Sequence, residues 1–405
     1  MICQCMALSP LLLIGLAVVV FVGFNIGGSN VGVAFGPAVG SRSVSATGAA
    51  ALMTVSFFVG GWTVGRGVVR TMGGRIVPSE EFTLAAGIVV LFFIGLALFL
   101  ANVVGVPAST SMTGVGSIAG LGLATNTLNW TTMGEIVSWW IVSPVIAFWV
   151  SGVIGRYFYP HLNRLFAVKQ TAGSLVALDR SRTPPRPTLG ANTTVRELVG
   201  TSLVVVVACY TAFSAGTSNA ANAIAPLVGA GALDIGPGIV LAGLAVGLGA
   251  FTIGRRTIDT MGNDLTDMPL LAALIVAVVS STLVTLLSWF DVPVSVVIIS
   301  TMSIVGLGWG RATRSVTVAD VREGESPNVS VDALAADTDT QTVGGGGTPP
   351  DPAAEPVPIG DEIAGDEPAA LFKPGASARV IAMQNLVPAV ATLTSFVLFR
   401  FVLFA

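Results

Sequence analysis

The chain has few charged residues and almost none of the residues suited to metal or covalent chemistry. Only 10% of its 405 residues are charged and 53% are hydrophobic, a composition that excludes an ordinary water-soluble domain. One histidine, His161, and three cysteines exclude a histidine-rich metal centre and a disulfide framework. We find no set of nucleophile, base and acid, so we predict that the protein is not an enzyme. Most basic residues lie outside the apolar stretches, so no nucleic-acid partner is expected.

Long apolar stretches occupy most of the chain. Ten hydrophobic segments, five in each half, predict an all-α integral membrane protein that crosses the cell membrane several times, with the lipid bilayer as a partner. The first five lie at about 7–40, 43–65, 82–105, 107–125 and 131–155, and the others at about 195–232, 235–253, 267–290, 293–310 and 378–404.

Two stretches of the chain are copies of each other. Gly27–Ser41 matches Gly216–Ala230 without a gap, each residue of the first meeting one that lies 189 positions later. The matched polar residues are Ser29 with Ser218 and Asn30 with Asn219. If each half crosses the membrane an odd number of times, the second half enters upside down, so we predict two inverted repeats.

Each copy lies in a segment that is too long for a single crossing. We expect these helices to unwind near Gly23–Asn30 and near Ser214–Asn219, and to restart after the Ser-Asn pair. Two restarted helices would present their N-terminal N–H groups to each other and bind a tetrahedral oxyanion. The alternative is that Ser, Asn and Gly only allow close helix packing.

Hydroxyl residues open the fourth segment of each half, after Pro107 and Pro293. Proline suits the first turn of a helix, and both short segments are expected to be re-entrant. The hydroxyls either cap the helix and face a ligand, or bond only to their own backbone. They are Ser109, Thr110 and Ser111 in the first half and Ser295 in the second. Ser300–Ser303 aligns with Thr110–Thr113 if Val296–Ile299 is an insertion.

Composition divides the chain into five parts. They are a first transmembrane repeat (1–156), a basic connection (157–194), the first part of a second repeat (195–312), an acidic loop (313–376) and a final transmembrane helix (377–405). Excess Lys and Arg predicts that the connection is cytoplasmic. The loop is rich in Pro, Gly and acidic residues without periodicity, which predicts disorder. Such a loop is typical of salt-adapted chains and favours a haloarchaeal host.

Together these motifs resemble the inorganic phosphate transporter (PiT) family, cation-coupled permeases for phosphate and sulfate. The family's repeated Gly-Ala-Asn-Asp-Val-Ala-Asn-Ala-Phe-Gly is similar to Gly27–Gly36 and Gly216–Ala225. Two further family motifs are similar to Gly65–Gly73 with Gly254–Gly262, and to Pro107–Met112 with Pro293–Val297. Ser138–Pro144 resembles another helix of the family.

The resemblance implies a secondary transporter that moves inorganic phosphate by alternating access, coupled to Na⁺ or H⁺. A sulfate permease of the same fold is the first alternative, and a non-transporting membrane scaffold or sensor is the second. No cofactor is implied apart from Na⁺ as a coupling ion, and a homo-oligomer is left open.

The chain departs from the family where charge matters most. The family's Asn-Asp pair is Ser-Asn in both halves, so Asn30 and Asn219 replace carboxylates, and a further asparagine is Asn222 in one half but Val33 in the other. The candidate substrate ligands are Ser29, Asn30, Ser109, Thr110, Ser111, Ser218, Asn219, Asn222 and Ser295. The candidates for binding a coupling ion are Asn30, Asn219 and Asp291. Asp291 has an alternative role as a cap for the helix that begins at Pro293.

Overall fold

The computed structural model describes residues 9–41, 43–104, 109–166, 176–179, 186–189, 195–254, 269–313 and 374–403, and these are almost entirely helical. The helices are α1 (Pro10–Gly40), α2 (Ala46–Thr63), α3 (Gly65–Arg70), α4 (Leu84–Val104), α5 (Thr110–Thr125), α6 (Trp130–Val153), α7 (Tyr159–Phe166), α8 (Val195–Gly229), α9 (Ile235–Phe251), α10 (Leu270–Trp289), α11 (Val296–Ala312) and α12 (Pro374–Leu398). A π-helical turn follows α3 (Thr71–Arg75), α6 (Ile154–Phe158) and α12 (Phe399–Leu403), and a 3₁₀ turn covers Ser79–Glu81.

The ten predicted hydrophobic segments correspond to ten of these helices, all except α3 and α7. Within the described ranges, seven helices are long and apolar enough to cross a membrane. The protein is therefore a multi-pass membrane protein, as predicted. Helices α5 and α11 have 16 and 17 residues. At about 1.5 Å per residue they span about 25 Å, less than the hydrocarbon core of about 30 Å. This length agrees with re-entrant segments, which remain a prediction.

The expected breaks near Gly23–Asn30 and Ser214–Asn219 are wrong, because α1 and α8 are continuous helices of 31 and 35 residues. The hydroxyls that were expected to cap restarted helices bond backwards along the helix instead. Ser29 Oγ donates to the carbonyl oxygens of Asn25 at 3.1 Å and Ile26 at 3.2 Å. Such bonds leave the helical ladder intact. The two opposed helix N-termini proposed as an anion site therefore do not exist.

The small residues of the two copies serve close packing. Helix α1 packs on α9, and a methyl group added to Gly27 would overlap the carbonyl oxygen of Val246. Helix α2 packs on α8 in the same way, with Gly216 against the carbonyl oxygen of Phe57. The two contacts exchange partners at the same spacing of 189 residues. A two-fold relation between the halves produces such reciprocal contacts. Whether that axis lies in the membrane plane, as inverted repeats require, stays a prediction.

The fourth segments of the two halves begin with equivalent caps. Ser109 Oγ accepts the Met112 N–H at 3.2 Å, and Ser295 Oγ accepts the Ile298 N–H at 3.3 Å. These two N-caps satisfy donors that a helix start would otherwise leave unpaired. Ser295 follows Ser109 by 186 residues, a spacing that needs no insertion in the second half.

Buried serines across the halves confirm that register. Ser151 Oγ of α6 lies 2.8 Å from Ser303 Oγ of α11, and Ser395 Oγ of α12 donates to the Ser117 carbonyl of α5 at 2.8 Å. Ser303 again follows Ser117 by 186 residues. The expected insertion of Val296–Ile299 is therefore wrong. The last helix of each half packs on the fourth segment of the other half.

The basic connection begins later than predicted. The boundary expected at residue 156 lies inside a helical run, because α6, its π turn and α7 follow one another as far as Phe166. The connection also holds two antiparallel strands, β1 (Val176–Asp179) and β2 (Arg186–Leu189), so the protein is not purely helical. Of the predicted acidic loop, 314–373 lie outside the described residues.

Helix α8 occupies the centre of the molecule. It packs against α1, α2, α4, α9 and α10, and every residue from Ser214 to Leu227 is buried. The polar residues of the second copy therefore lie deep in the protein, where an unpaired polar group costs free energy.

Candidate functional site

Two serines from different halves meet beside α8. Ser218 Oγ lies 2.8 Å from the Val294 carbonyl oxygen, to which it donates, and 3.0 Å from Ser111 Oγ. Because a hydroxyl has one proton, Ser111 is the donor in the bond between the two serines. Both side chains are buried. Ser111 lies in the first turn of α5, and Val294 lies in the linker before α11.

Asn222 lies one turn further along α8 and extends this cluster. Its Nδ2 donates to Asn219 Oδ1 at 3.1 Å and lies 3.4 Å from Ser111 Oγ. Only the amide nitrogen can donate to Asn219 Oδ1, which fixes the orientation of the Asn222 amide. Asn222 Oδ1 then has no hydrogen-bond partner although the side chain is fully buried. An acceptor left in that state costs about 1–3 kcal/mol, which a ligand with a donor or positive charge would recover.

Two residues outside the predicted set border the unpaired oxygen. A methyl group on Gly114 of α5 would lie 2.6 Å from Asn222 Oδ1 and 2.9 Å from Met72 Cε. The sequence offered one signal for Met72, since Thr71–Gly73 is repeated as Thr260–Gly262. Gly114 has no such signal.

The remaining hydroxyls of the predicted set lie at the starts of α5 and α11. Ser109 and Ser295 are buried and use their oxygens as helix caps, while each keeps a proton to donate. Thr110 is buried in the same turn as Ser111. The fold thus places these hydroxyls on the two short helices whose N-termini adjoin the cluster around Ser218.

The first copy of the motif does not repeat this cluster. Asn30 is buried, and its Nδ2 has no hydrogen-bond partner. Ser29 bonds back to its own helix rather than to the serines of α5 and α8. A polar contact that the sequence reasoning missed lies nearby, where Asn102 Nδ2 donates to the carbonyl oxygen and to Oδ1 of Asn25, both at 3.2 Å.

Asp291 does not cap α11, so that expectation is wrong; Ser295 holds the cap position. Asp291 instead ends α10 with a left-handed backbone, φ 62°, and the Val292 N–H bonds back to the Leu287 carbonyl at 3.0 Å. Its carboxylate lies 3.7 Å from Arg75 Nη1. The pair links the two halves, but both side chains are well exposed, so it contributes little stability.

The cluster formed by Ser111, Ser218, Asn219 and Asn222 holds hydroxyl and amide groups and no charged side chain. Among the described residues, no group of three or more His, Cys, Asp or Glu side chains is placed to hold a metal ion. Hydroxyl and amide donors can bind oxyanions, and the oxygens of the same groups can coordinate Na⁺. The cluster therefore suits a small inorganic anion, a hard cation, or both.

Comparison with known proteins supports a transport role. Residues 26–324 match the model of the phosphate transporter family. The sulfate permease CysP of Bacillus subtilis is 32% identical over 292 residues, covering 72% of this chain and 75% of the permease. A putative phosphate permease of Helicobacter pylori is 28% identical, covering 72% of this chain and 67% of that protein.

A solved structure has a similar fold. The sodium-dependent phosphate transporter is 19% identical and superposes with a TM-score of 0.61, covering 97% of this chain and 100% of that one. At this identity the match establishes the fold and not the ligands. The family match extends over most of the chain, so this protein belongs to the phosphate transporter family.

Proposed function

We propose that this protein is a secondary transporter that carries inorganic phosphate across the cell membrane. The observation that carries the proposal is the buried, uncharged cluster of Ser111, Ser218, Asn219 and Asn222, in which an acceptor lacks a partner. Polar groups are placed in a membrane interior at a free-energy cost, and they mark transport pathways. Membership of a transporter family supports the same conclusion. We propose no enzymatic activity and no cofactor.

The chemistry of the cluster favours an oxyanion. Hydroxyl and amide groups donate hydrogen bonds to anionic oxygens, and such bonds are stronger than those between neutral groups. The cluster carries no carboxylate that would repel an anion in a low dielectric. Phosphate also brings an O–H group, which can donate to Asn222 Oδ1.

Alternating access follows from the position of the cluster between the halves. Ser111 belongs to the first half and Ser218 to the second, so relative motion of the halves changes their contact. The reciprocal packing of α1 on α9 and α2 on α8 supports two equivalent halves that rock against each other. We propose that these halves are inverted repeats.

The coupling ion is Na⁺ or H⁺ in this proposal. Na⁺ would be held by neutral oxygens, with Asn30, Asn219 and Asn222 as the candidate amides. Without a carboxylate this binding is weaker than in a site with acidic ligands. Asp291 is already paired with Arg75, which makes it a less suitable ion ligand.

Sulfate is the second candidate anion. The 32% identity to a sulfate permease favours it, as does a site without carboxylates, since sulfate needs only donors. A scaffold or sensor without transport is the remaining alternative. We propose that the exposed apolar residues of the outer helices, such as Ile141 and Leu244, contact lipid. A homo-oligomer stays a prediction.

Uptake by proteoliposomes tests the proposal. The purified protein should accumulate labelled phosphate down an imposed Na⁺ or H⁺ gradient, and unlabelled phosphate should compete better than sulfate. Stronger competition by sulfate would favour the second candidate. Absence of uptake for both anions, with the protein correctly inserted, would support the scaffold alternative.

A further inference from the structure

We propose that Gly114 is a specificity-determining residue, whose missing side chain keeps Asn222 Oδ1 open to the protonated oxygen of hydrogen phosphate. The inference rests on the proposed function and refines the choice of anion at the same site. It assigns a role to a residue that lies outside the repeated motifs.

The geometry leaves one small space beside the unpaired oxygen. Asn222 Oδ1 is fully buried and without a partner, while the nitrogen of the same amide is engaged by Asn219. The Cβ position of Gly114 lies 2.6 Å from this oxygen and 2.9 Å from Met72 Cε. Any side chain on Gly114 would therefore cover the acceptor.

The chemistry of that space separates two tetrahedral anions of similar size. Near neutral pH phosphate retains at least one O–H group, whereas sulfate has none. A buried acceptor gains a hydrogen bond from the O–H of phosphate but meets only a repelling oxygen of sulfate. A site built to bond a ligand proton discriminates strongly against an analogue that lacks it. The space beside Gly114 therefore selects for a protonated oxyanion.

Adding a methyl group should close the space without unfolding the helix. The atoms that it would meet are the ends of the Asn222 and Met72 side chains, which can shift, and not backbone. Alanine is also the better helix former. Gly120 of the same helix differs, because a methyl there would meet backbone atoms of Thr392 and Phe396 at 2.6 Å and 2.9 Å.

The test compares anions with and without an O–H group on the purified full-length protein. Equilibrium dialysis with labelled phosphate and labelled sulfate, and competition by arsenate and selenate, gives four affinities for wild type and Gly114→Ala. We expect phosphate and arsenate to weaken about five- to tenfold, the loss of one hydrogen bond, and sulfate and selenate to change less than about twofold. Gly134→Ala, which adds a methyl where no atom lies within 4 Å, should change none of them.

Two further variants separate selectivity from packing. Gly114→Ser supplies its own donor to Asn222 Oδ1 and should weaken phosphate at least as much as Gly114→Ala. Met72→Ala in the Gly114→Ala background relieves crowding against Met72 and should not restore phosphate affinity. Thermal unfolding should show that Gly114→Ala is folded and about as stable as wild type.

Each outcome decides one question. Equal weakening of all four anions, recovery on removing Met72, or wild-type preference for sulfate would overturn the inference while leaving oxyanion transport intact. Lost Na⁺ dependence with an unchanged ratio of phosphate to sulfate would assign the space to the cation and overturn it as well. If wild type binds none of the four anions, the proposed function itself fails.

Discussion

Ser111 Oγ and Ser218 Oγ lie 3.0 Å apart although 107 residues separate them along the chain. The contact joins the first turn of α5 to the middle of α8, and it places one hydroxyl from each half at the same point. Because a hydrogen bond of this length tolerates little displacement, any rocking of the halves must break or re-form it. The two serines therefore report directly on the arrangement of the halves.

The close packing of α1 on α9 predicts a sharp difference between adjacent glycines. Gly27→Ala should lower the free energy of unfolding by about 1–3 kcal/mol or abolish expression, because the methyl overlaps the Val246 carbonyl and the helices must separate. Gly28→Ala should be nearly neutral, since its methyl would make ordinary contact with Ile253 at 3.4 Å. Thermal unfolding in detergent measures both. Equal stability of the two variants would contradict the packing described for this helix pair.

The paired asparagines should differ in what they contribute. Asn219→Ala removes the acceptor of the Asn222 amide and should cost both stability and anion affinity. Asn30→Ala removes an unpaired buried donor and should spare stability. For either variant we expect affinity to fall by about 1–3 kcal/mol, roughly ten- to a hundredfold, if the lost group contacts the anion. Isothermal titration with phosphate, alongside thermal unfolding, separates the two effects. Wild-type affinity in both folded variants would place the anion elsewhere.

Hydropathy was sufficient to locate the membrane helices. The ends of α2 and α4 differ from the predicted segments by only a few residues, because a run of apolar side chains inside a bilayer must form a helix to pair its backbone. The repeat was equally visible, since Gly27 and Gly216 recur at one spacing and make equivalent contacts.

The state of the polar pairs could not be predicted from the sequence. Ser29 was interpreted as a cap because Ser and Asn favour helix starts, but in a buried helix its hydroxyl finds a carbonyl one turn back. The contact of Ser111 with Ser218 depends on how α5 packs on α8, which no local pattern encodes. Gly114 escaped notice because its contribution is an absent side chain.

Restoring the family's carboxylates should strengthen cation coupling. Asn30→Asp together with Asn219→Asp should increase the Na⁺ dependence of uptake, because a carboxylate holds a cation more tightly than an amide in a low dielectric. Without Na⁺ the same variant should bind the anion less well, since like charges repel. The measurement is uptake as a function of Na⁺ concentration in proteoliposomes.

Asp291→Gly is the matched control for that experiment. Glycine adopts the left-handed backbone of this position easily, and the exposed ion pair with Arg75 contributes little, so stability should hold. We expect its Na⁺ dependence to equal that of wild type. Lost coupling in Asp291→Gly, with no gain in the double variant, would assign coupling to Asp291 instead.

The central claim is that the cluster around Ser218 binds the transported anion, and one pair of substitutions tests it most directly. Ser218→Ala and Ser303→Ala each remove one buried hydroxyl from a serine pair that links the halves, with Oγ–Oγ distances of 3.0 Å and 2.8 Å. The measurement is the apparent affinity for phosphate uptake by proteoliposomes that hold equal amounts of each variant. Ser218→Ala should weaken it about tenfold, and Ser303→Ala should leave it within about twofold of wild type. Equal effects of the two substitutions, or unchanged uptake by Ser218→Ala, would contradict the claim.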